Sequence, residues 1–184
     1  IDSKTQYVAV CNAVETLLVH EGAAEKLIPP LLSKLKEKGV TVKGSPDIQH
    51  LAPCEAADDE DWETEYLDLF LSVKTVKNID EAVSHINRFG SHHTDCIITE
   101  DPAAAEKFML IVDSAGVYLN CSTRFADGYR YGFGAEVGVS TGKLHARGPV
   151  GLDGLVTYKY RLYGKSHVVG DYASGAKQFH FKDL

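Results

Sequence analysis

Between residues 40 and 120 the sequence switches repeatedly from strand-like alternation to helix-like spacing of apolar residues, and this switching limits the fold more than any other feature. Val40-Thr41-Val42 reads as a strand, and Leu69, Leu71, Val73 and Thr75 alternate as a second. Asn78 then caps a helix with Asp80 and Glu81 in its first turn. Its apolar face is Ile79, Ala82, Val83, Ile86 and Phe89, and Gly90 closes it. Cys96-Ile97-Ile98-Thr99 is the next strand. Asp101-Pro102 is an N-cap followed by proline at the first helical position, opening a helix through Phe108, Met109 and Val112 to Gly116. Val117-Tyr118-Leu119-Asn120 is a further strand. This order predicts an α/β fold, a three-layer αβα arrangement with a mostly parallel sheet.

The flanks extend the pattern. Tyr7-Val8-Ala9-Val10 reads as a strand leading into Cys11 and a helix start near Asn12–Glu15. Ala24, Leu27, Ile28, Leu31, Leu32 and Leu35 keep a helical period over residues 22–38. Two adjacent prolines inside one helix would cost two hydrogen bonds. A turn is therefore expected at Pro29-Pro30, with a second helix starting there and Gly39 ending it. The acidic stretch Cys54–Glu65 reads as a loop around Trp62. Beyond Asn120, residues 122–154 are rich in glycine and polar residues, and a loop that long is usually functional. Val156–Tyr163 alternates as an edge or inter-subunit strand. The expected division is a catalytic domain over 1–154 and an oligomerisation strand and tail over 155–184.

A net charge of −7 argues against a nucleic-acid partner, which would call for a basic face. No apolar run approaches a membrane span, and there is no signal-peptide pattern, so a cytoplasmic location is expected. The chain opens at Ile1 with strand-like residues almost at once, as a segment cut from something longer would. Cys11, Cys54, Cys96 and Cys121 show no CxxC spacing and are expected to be free thiols. The histidines show no metal-binding spacing, and no metal site is expected.

Several segments carry chemistry. A thiol between a strand and a helix start, as expected for Cys11, would have its thiolate stabilised by the helix N-terminus, although a buried structural cysteine is the commoner occurrence. Ser122-Thr123-Arg124-Phe125 follows a strand, where α/β sheets bind ligands. Its two hydroxyls and guanidinium suit a phosphate or carboxylate, or simply a solvated loop. Lys143, His145 and Arg147 cluster in five positions. Gly132-Phe133-Gly134-Ala135-Glu136-Val137-Gly138 is not a dinucleotide fingerprint, because the spacing is wrong and no βαβ unit follows. Asp58-Asp59-Glu60-Asp61 reads as a solvated loop. His92-His93-Thr94-Asp95 is compatible with acid–base work, but a turn into the Cys96 strand is the simpler reading.

Five runs together resemble the γ-glutamyl phosphate reductases of the aldehyde dehydrogenase superfamily. They are Cys11-Asn12-Ala13-Val14-Glu15-Thr16-Leu17-Leu18; Trp62 with Glu65-Tyr66-Leu67-Asp68-Leu69; Val76, Ala82 and His85-Ile86 through Gly90-Ser91-His92-His93-Thr94-Asp95-Cys96-Ile97; Asn120 with Ser122-Thr123-Arg124-Phe125-Ala126-Asp127-Gly128; and Gly134-Ala135-Glu136-Val137 with His145-Ala146-Arg147-Gly148-Pro149-Val150-Gly151-Leu152. The third satisfies a long family signature. Residues 165–184 resemble the eukaryotic branch and match least.

The resemblance implies an aldehyde-dehydrogenase-like catalytic domain. It implies NADPH-dependent reduction of L-glutamyl 5-phosphate to L-glutamate 5-semialdehyde and phosphate, in proline biosynthesis. Cys11 matches the nucleophile that forms a thioacyl intermediate. Ser122, Thr123 and Arg124 match the substrate loop, with His145 and Arg147 as secondary substrate-binding candidates. Glu65 falls near a glutamate that contacts the nicotinamide ribose, although Glu-Tyr-Leu-Asp departs from the usual pattern there. The family's NADPH-binding domain would lie upstream, so this chain alone is expected to bind NADPH poorly and turn over little. A homo-oligomer, working alongside a glutamate 5-kinase, is the expected assembly. The rivals are a thiol hydrolase, which needs a histidine beside Cys11; an aldehyde dehydrogenase working in the oxidising direction; and a non-catalytic binding or regulatory domain that kept the fold.

Overall fold

A computed structural model describes residues 1–180. Strands β1 (Thr16–His20), β2 (Thr41–Gly44), β3 (Glu55–Ala56) and β4 (Phe70–Val76) form a wholly parallel sheet in the order β1-β4-β2-β3. β4 and β2 are its interior strands. Leu71, Ser72 and Val73 are buried in succession, and since neighbouring residues point to opposite faces, both faces are covered. Leu71 and Val73 pack with Ile28, Leu32, Leu35, Val42 and Ile48. On the other face the Ser72 hydroxyl lies 2.8 Å from the Tyr66 hydroxyl, which also donates to Asp61 at 2.7 Å. A loop rather than a helix therefore covers that face at Ser72. Lys43 completes the group, its ammonium 2.6 Å from Asp61. Burial pushes the Asp61 carboxyl up, but hydrogen bonds from Lys43, the Asp58 N–H and Tyr66 outweigh it and hold the group below the usual carboxylate range.

Helix α1 (Asp2–Thr5) is a single turn; α2 (Glu21–Glu37) runs unbroken through Pro29 and Pro30, against the expected turn. The prolines leave the carbonyls of Glu25 and Lys26 without helical donors. All four residues are exposed, so water can serve those carbonyls, while Ala24, Ile28, Leu32 and Leu35 anchor the opposite face. Gly39 ends the helix as expected, at a φ of 76° that disfavours a side chain. After α3 (Pro46–Leu51) the chain passes so close to β2 that a Cβ at Gly44 would lie 2.6 Å from Cys54 Sγ.

The second half repeats the design on a smaller scale. Asn78 caps α4 (Ile79–Phe89) by accepting from the Glu81 N–H, and Asp101 caps α5 (Pro102–Ile111) by accepting from the Ala103 N–H, both as read from sequence. β5 (Thr94–Ile97) and β6 (Gly116–Leu119) pair in parallel as a separate sheet, over a core of Val83, Phe108 and Val112. α5 stops short of Gly116, because Asn87 takes the Ile111 carbonyl and the Asp113 N–H into a turn. β7 (Gly138–Ser140) and β8 (Gly148–Val150) form an antiparallel pair within the long loop, and α6 (Val169–Ala173) follows near the end. The expected α/β class and mostly parallel pairing hold, divided among separate sheets.

Two expected strands do not form. Tyr7–Val10 is a run of bends with no neighbouring strand to take its N–H and C=O groups. Residues 156–163 are irregular and exposed, with Tyr160 at 88% and Leu162 at 98%.

Candidate active site

The segment around Cys11 is a turn, not a strand-to-helix junction. The Val14 N–H bonds the Ser3 carbonyl at 3.0 Å, and Lys4, 1% exposed, pairs with Glu15 at 2.7 Å. The turn thus sits against α1, with Cys11 exposed at its corner and Asn12 buried. The helix start expected near Asn12–Glu15 is absent. Thr16-Leu17-Leu18-Val19 is strand β1 instead, and the next helix begins only at Glu21. No helix N-terminus therefore activates the thiol. Partial burial pushes the thiol up, Glu136 adds to this, its own backbone N–H opposes it, Glu65 raises it again and Arg124 lowers it.

The 122–126 loop is fastened to that turn. The Ser122 and Ser3 hydroxyls lie 3.1 Å apart. Thr123 Oγ1 donates to the Asn12 carbonyl at 2.7 Å, and Asn12 Nδ2 donates to the Ala126 carbonyl at 2.7 Å. The Arg124 guanidinium donates through Nη1 to Asn12 Oδ1 and through Nε to Gln6 Oε1 at 2.8 Å. Arg130 Nη1 donates to the Arg124 carbonyl at 2.6 Å. Arg124, Arg130, Ser122, Phe125, Gln6 and Asp2 line a hollow of about 220 Å³. Two guanidinium groups on one hollow suit an anion.

Glu65 and Glu136 both act on the Cys11 thiol and both act on His93. Glu136 is held by accepting from the Gly128 N–H at 2.8 Å. His93 is 5% exposed. Its Nδ1 lies 2.7 Å from Thr94 Oγ1, while Nε2 is buried without a hydrogen-bond partner among the described residues. Burial pushes this imidazole down, although both carboxylates pull it up. Sequence reasoning set His93 aside and gave Glu136 and Asn12 no role, although all three lie in the runs that carried the family resemblance.

The basic cluster after β7 is placed differently. Arg147 Nη2 donates to Asp113 Oδ1 at 3.0 Å, and Lys143 pairs with the same carboxylate at 2.5 Å. His145 is exposed between them. Asp113 precedes β6 and Ser122 follows it, so Arg147 and Arg124 are anchored at opposite ends of that strand.

No family model matches the chain. It is 59% identical, over its whole length, to γ-glutamyl phosphate reductase 1 of Synechocystis sp., covering 43% of that protein, and 59% identical to the reductase of Pelotomaculum thermopropionicum, covering 42%. The crystal structure of a γ-glutamyl phosphate reductase from Thermotoga maritima superposes with a TM-score of 0.87 at 47% identity, over 91% of this chain and 41% of that one. An acetylating aldehyde dehydrogenase from Geobacillus thermoglucosidasius shares the fold over 90% of this chain and 47% of its own, with a TM-score of 0.55 and 22% identity. The chain thus spans less than half the length of these relatives.

Proposed function

From a chain homologous along its whole length to γ-glutamyl phosphate reductases, we propose that these residues supply the nucleophile and the substrate loop for reduction of L-glutamyl 5-phosphate to L-glutamate 5-semialdehyde and phosphate. The observation that carries this reading is the fastening of the Arg124 loop to the Cys11 turn through Asn12. It puts a thiol and an anion-gripping loop on one small surface.

Cys11 Sγ gives its proton to solvent and attacks the acyl carbon, a C–S bond forms as the C–O bond to phosphate breaks, and a thioester and free phosphate remain. Phosphate leaves without strong acid assistance. Ser122, Thr123 and Arg124 orient the anionic substrate, and the Arg124 charge favours the thiolate. No hydrolytic base is required, because water does not resolve the thioester. Glu65 is exposed beside the thiol, and the described residues give its carboxylate no hydrogen-bond partner, so it fits one contact to a ribose hydroxyl of NADPH. When bound, that cofactor supplies the hydride that releases the aldehyde. Arg147 and Lys143 brace the loop before β8 on Asp113, and His145 stands exposed between them, which leaves the substrate anion to the Arg124 loop. In the assembled enzyme, residues 156–163 find a strand partner in a second copy, and a glutamate 5-kinase supplies the substrate. The setting is the cytoplasm; no described helix is long and apolar enough to cross a membrane.

The test is reduction of NADP⁺ with the semialdehyde and phosphate, in a chain of the relatives' full length that carries this segment. Cys11→Ala is expected to lower the rate by about a thousandfold or more. Undiminished turnover overturns the reading.

A further inference from the structure

We propose that Asn12 is a positioning residue that tunes the Cys11 thiol by holding the Arg124 guanidinium against the nucleophile turn. The inference rests on the reading of Cys11 as the nucleophile. Asn12 is 6% exposed and turns its carbonyl and both side-chain amide atoms toward the 122–126 loop. Its carbonyl accepts from Thr123 Oγ1 at 2.7 Å, its Nδ2 donates to the Ala126 carbonyl at 2.7 Å, and its Oδ1 accepts from Arg124 Nη1. The Ala126 bond fixes which way the amide faces, with nitrogen inward and oxygen toward the guanidinium.

This orientation matters because of the charges around the sulfur. Burial, Glu136 and Glu65 oppose the thiolate, its own backbone N–H favours it, and Arg124 adds a smaller favourable pull as the one cation acting on it among the described residues. A guanidinium on a flexible stem is dispersed by solvent unless something holds it. Here two amide oxygens do so, Asn12 Oδ1 from the buried side and Gln6 Oε1 from the surface. The contact to Gln6 is exposed, so the buried amide is the firmer of the two. Among the described residues no hydrogen bond joins the Asn12 side chain to the Cys11 sulfur; it acts through Arg124.

The experiment is the pH dependence of Cys11 alkylation by iodoacetamide in this chain, with the modified site located by peptide mass mapping. Asn12→Ala is expected to move the midpoint upward by about half a unit to one unit, slowing alkylation near neutral pH about three- to tenfold. Asn12→Ser, which is smaller and polar but too short to reach Arg124, is expected to do the same and guards against loss of folding in the alanine variant. In an Arg124→Ala background, the same Asn12 substitutions are expected to change the rate less than about twofold, because the cation they position is gone. An equal shift in both backgrounds, or none in either, overturns the proposal. Alkylation reads the thiol itself, so this result is independent of whether the acyl phosphate is the substrate.

Discussion

Around β4, ten buried apolar residues drawn from α2, α3 and three strand segments close on one another, whereas around β6 only Val83, Phe108 and Val112 do. The thinner half leaves Ile98 at 77%, Leu110 at 79% and Phe125 at 56% exposure, on or beside its sheet and α5. It also carries Ser122, Thr123, Arg124, His93 and Glu136. The thicker half contributes the rigid strand that follows Cys11 and the loop that carries Glu65. The Cys11 turn, set on the deeper core, meets the 122–126 loop, set on the shallower one. Loops that must accept and release ligands are drawn from the less stable end of a structure.

Substitutions in the two cores test this contrast directly. Ile28→Ala, at a position with no exposure, is expected to cost about 3–4 kcal/mol in urea unfolding. Val112→Ala should cost about 1–2 kcal/mol. Equal losses would erase the difference in depth.

The seam between the halves is titratable. His85 on α4 meets the edge of Trp62 at 5.6 Å and lies 4.7 Å from Phe89. Burial, with Lys74 next and Arg88 after Glu81's opposing pull, pushes its imidazole down to about 4. An unfolded chain binds the proton near pH 6.5. Stability is therefore full above about pH 6.5 and falls by up to about 3 kcal/mol as pH drops toward 4. Urea midpoints at pH 7 and pH 4.5 should differ less in His85→Phe than in the parent chain; an unchanged difference removes His85 from the seam.

The smallest effect is expected at the brace. Burial opposes it only weakly, and Lys143 and then Arg147 hold the Asp113 carboxyl below its usual range. Arg147→Ala should leave the urea midpoint unmoved and quicken tryptic cleavage at Lys143. A shifted midpoint would make that loop part of the thin core.

Much of this was legible locally. The caps at Asn78 and Asp101, the stop at Gly39 and the alternation in β4 each depend on neighbours a few residues away. Pro29-Pro30 misled, because counting lost hydrogen bonds ignores which face they lie on. Tyr7–Val10 misled for the opposite reason: apolar alternation predicts a strand, but only a distant partner makes one. Cys11 was found by family resemblance, and the helix thought to activate it is not there. The staple between Asn12 and Ala126 joins residues 114 positions apart, beyond the reach of any local pattern.

That separation sets how much of the chain lies between the two sides of the site. Ser3 meets Ser122 across 119 positions, so about two-thirds of the described residues lie in the loop these contacts close. Loop-closure entropy grows slowly with length, by about 0.6 kcal/mol per doubling, so insertions into surface turns between the two ends would be cheap. The intervening sheets must first bring those ends together. The meeting of Cys11 and Arg124 thus depends on everything folded between them.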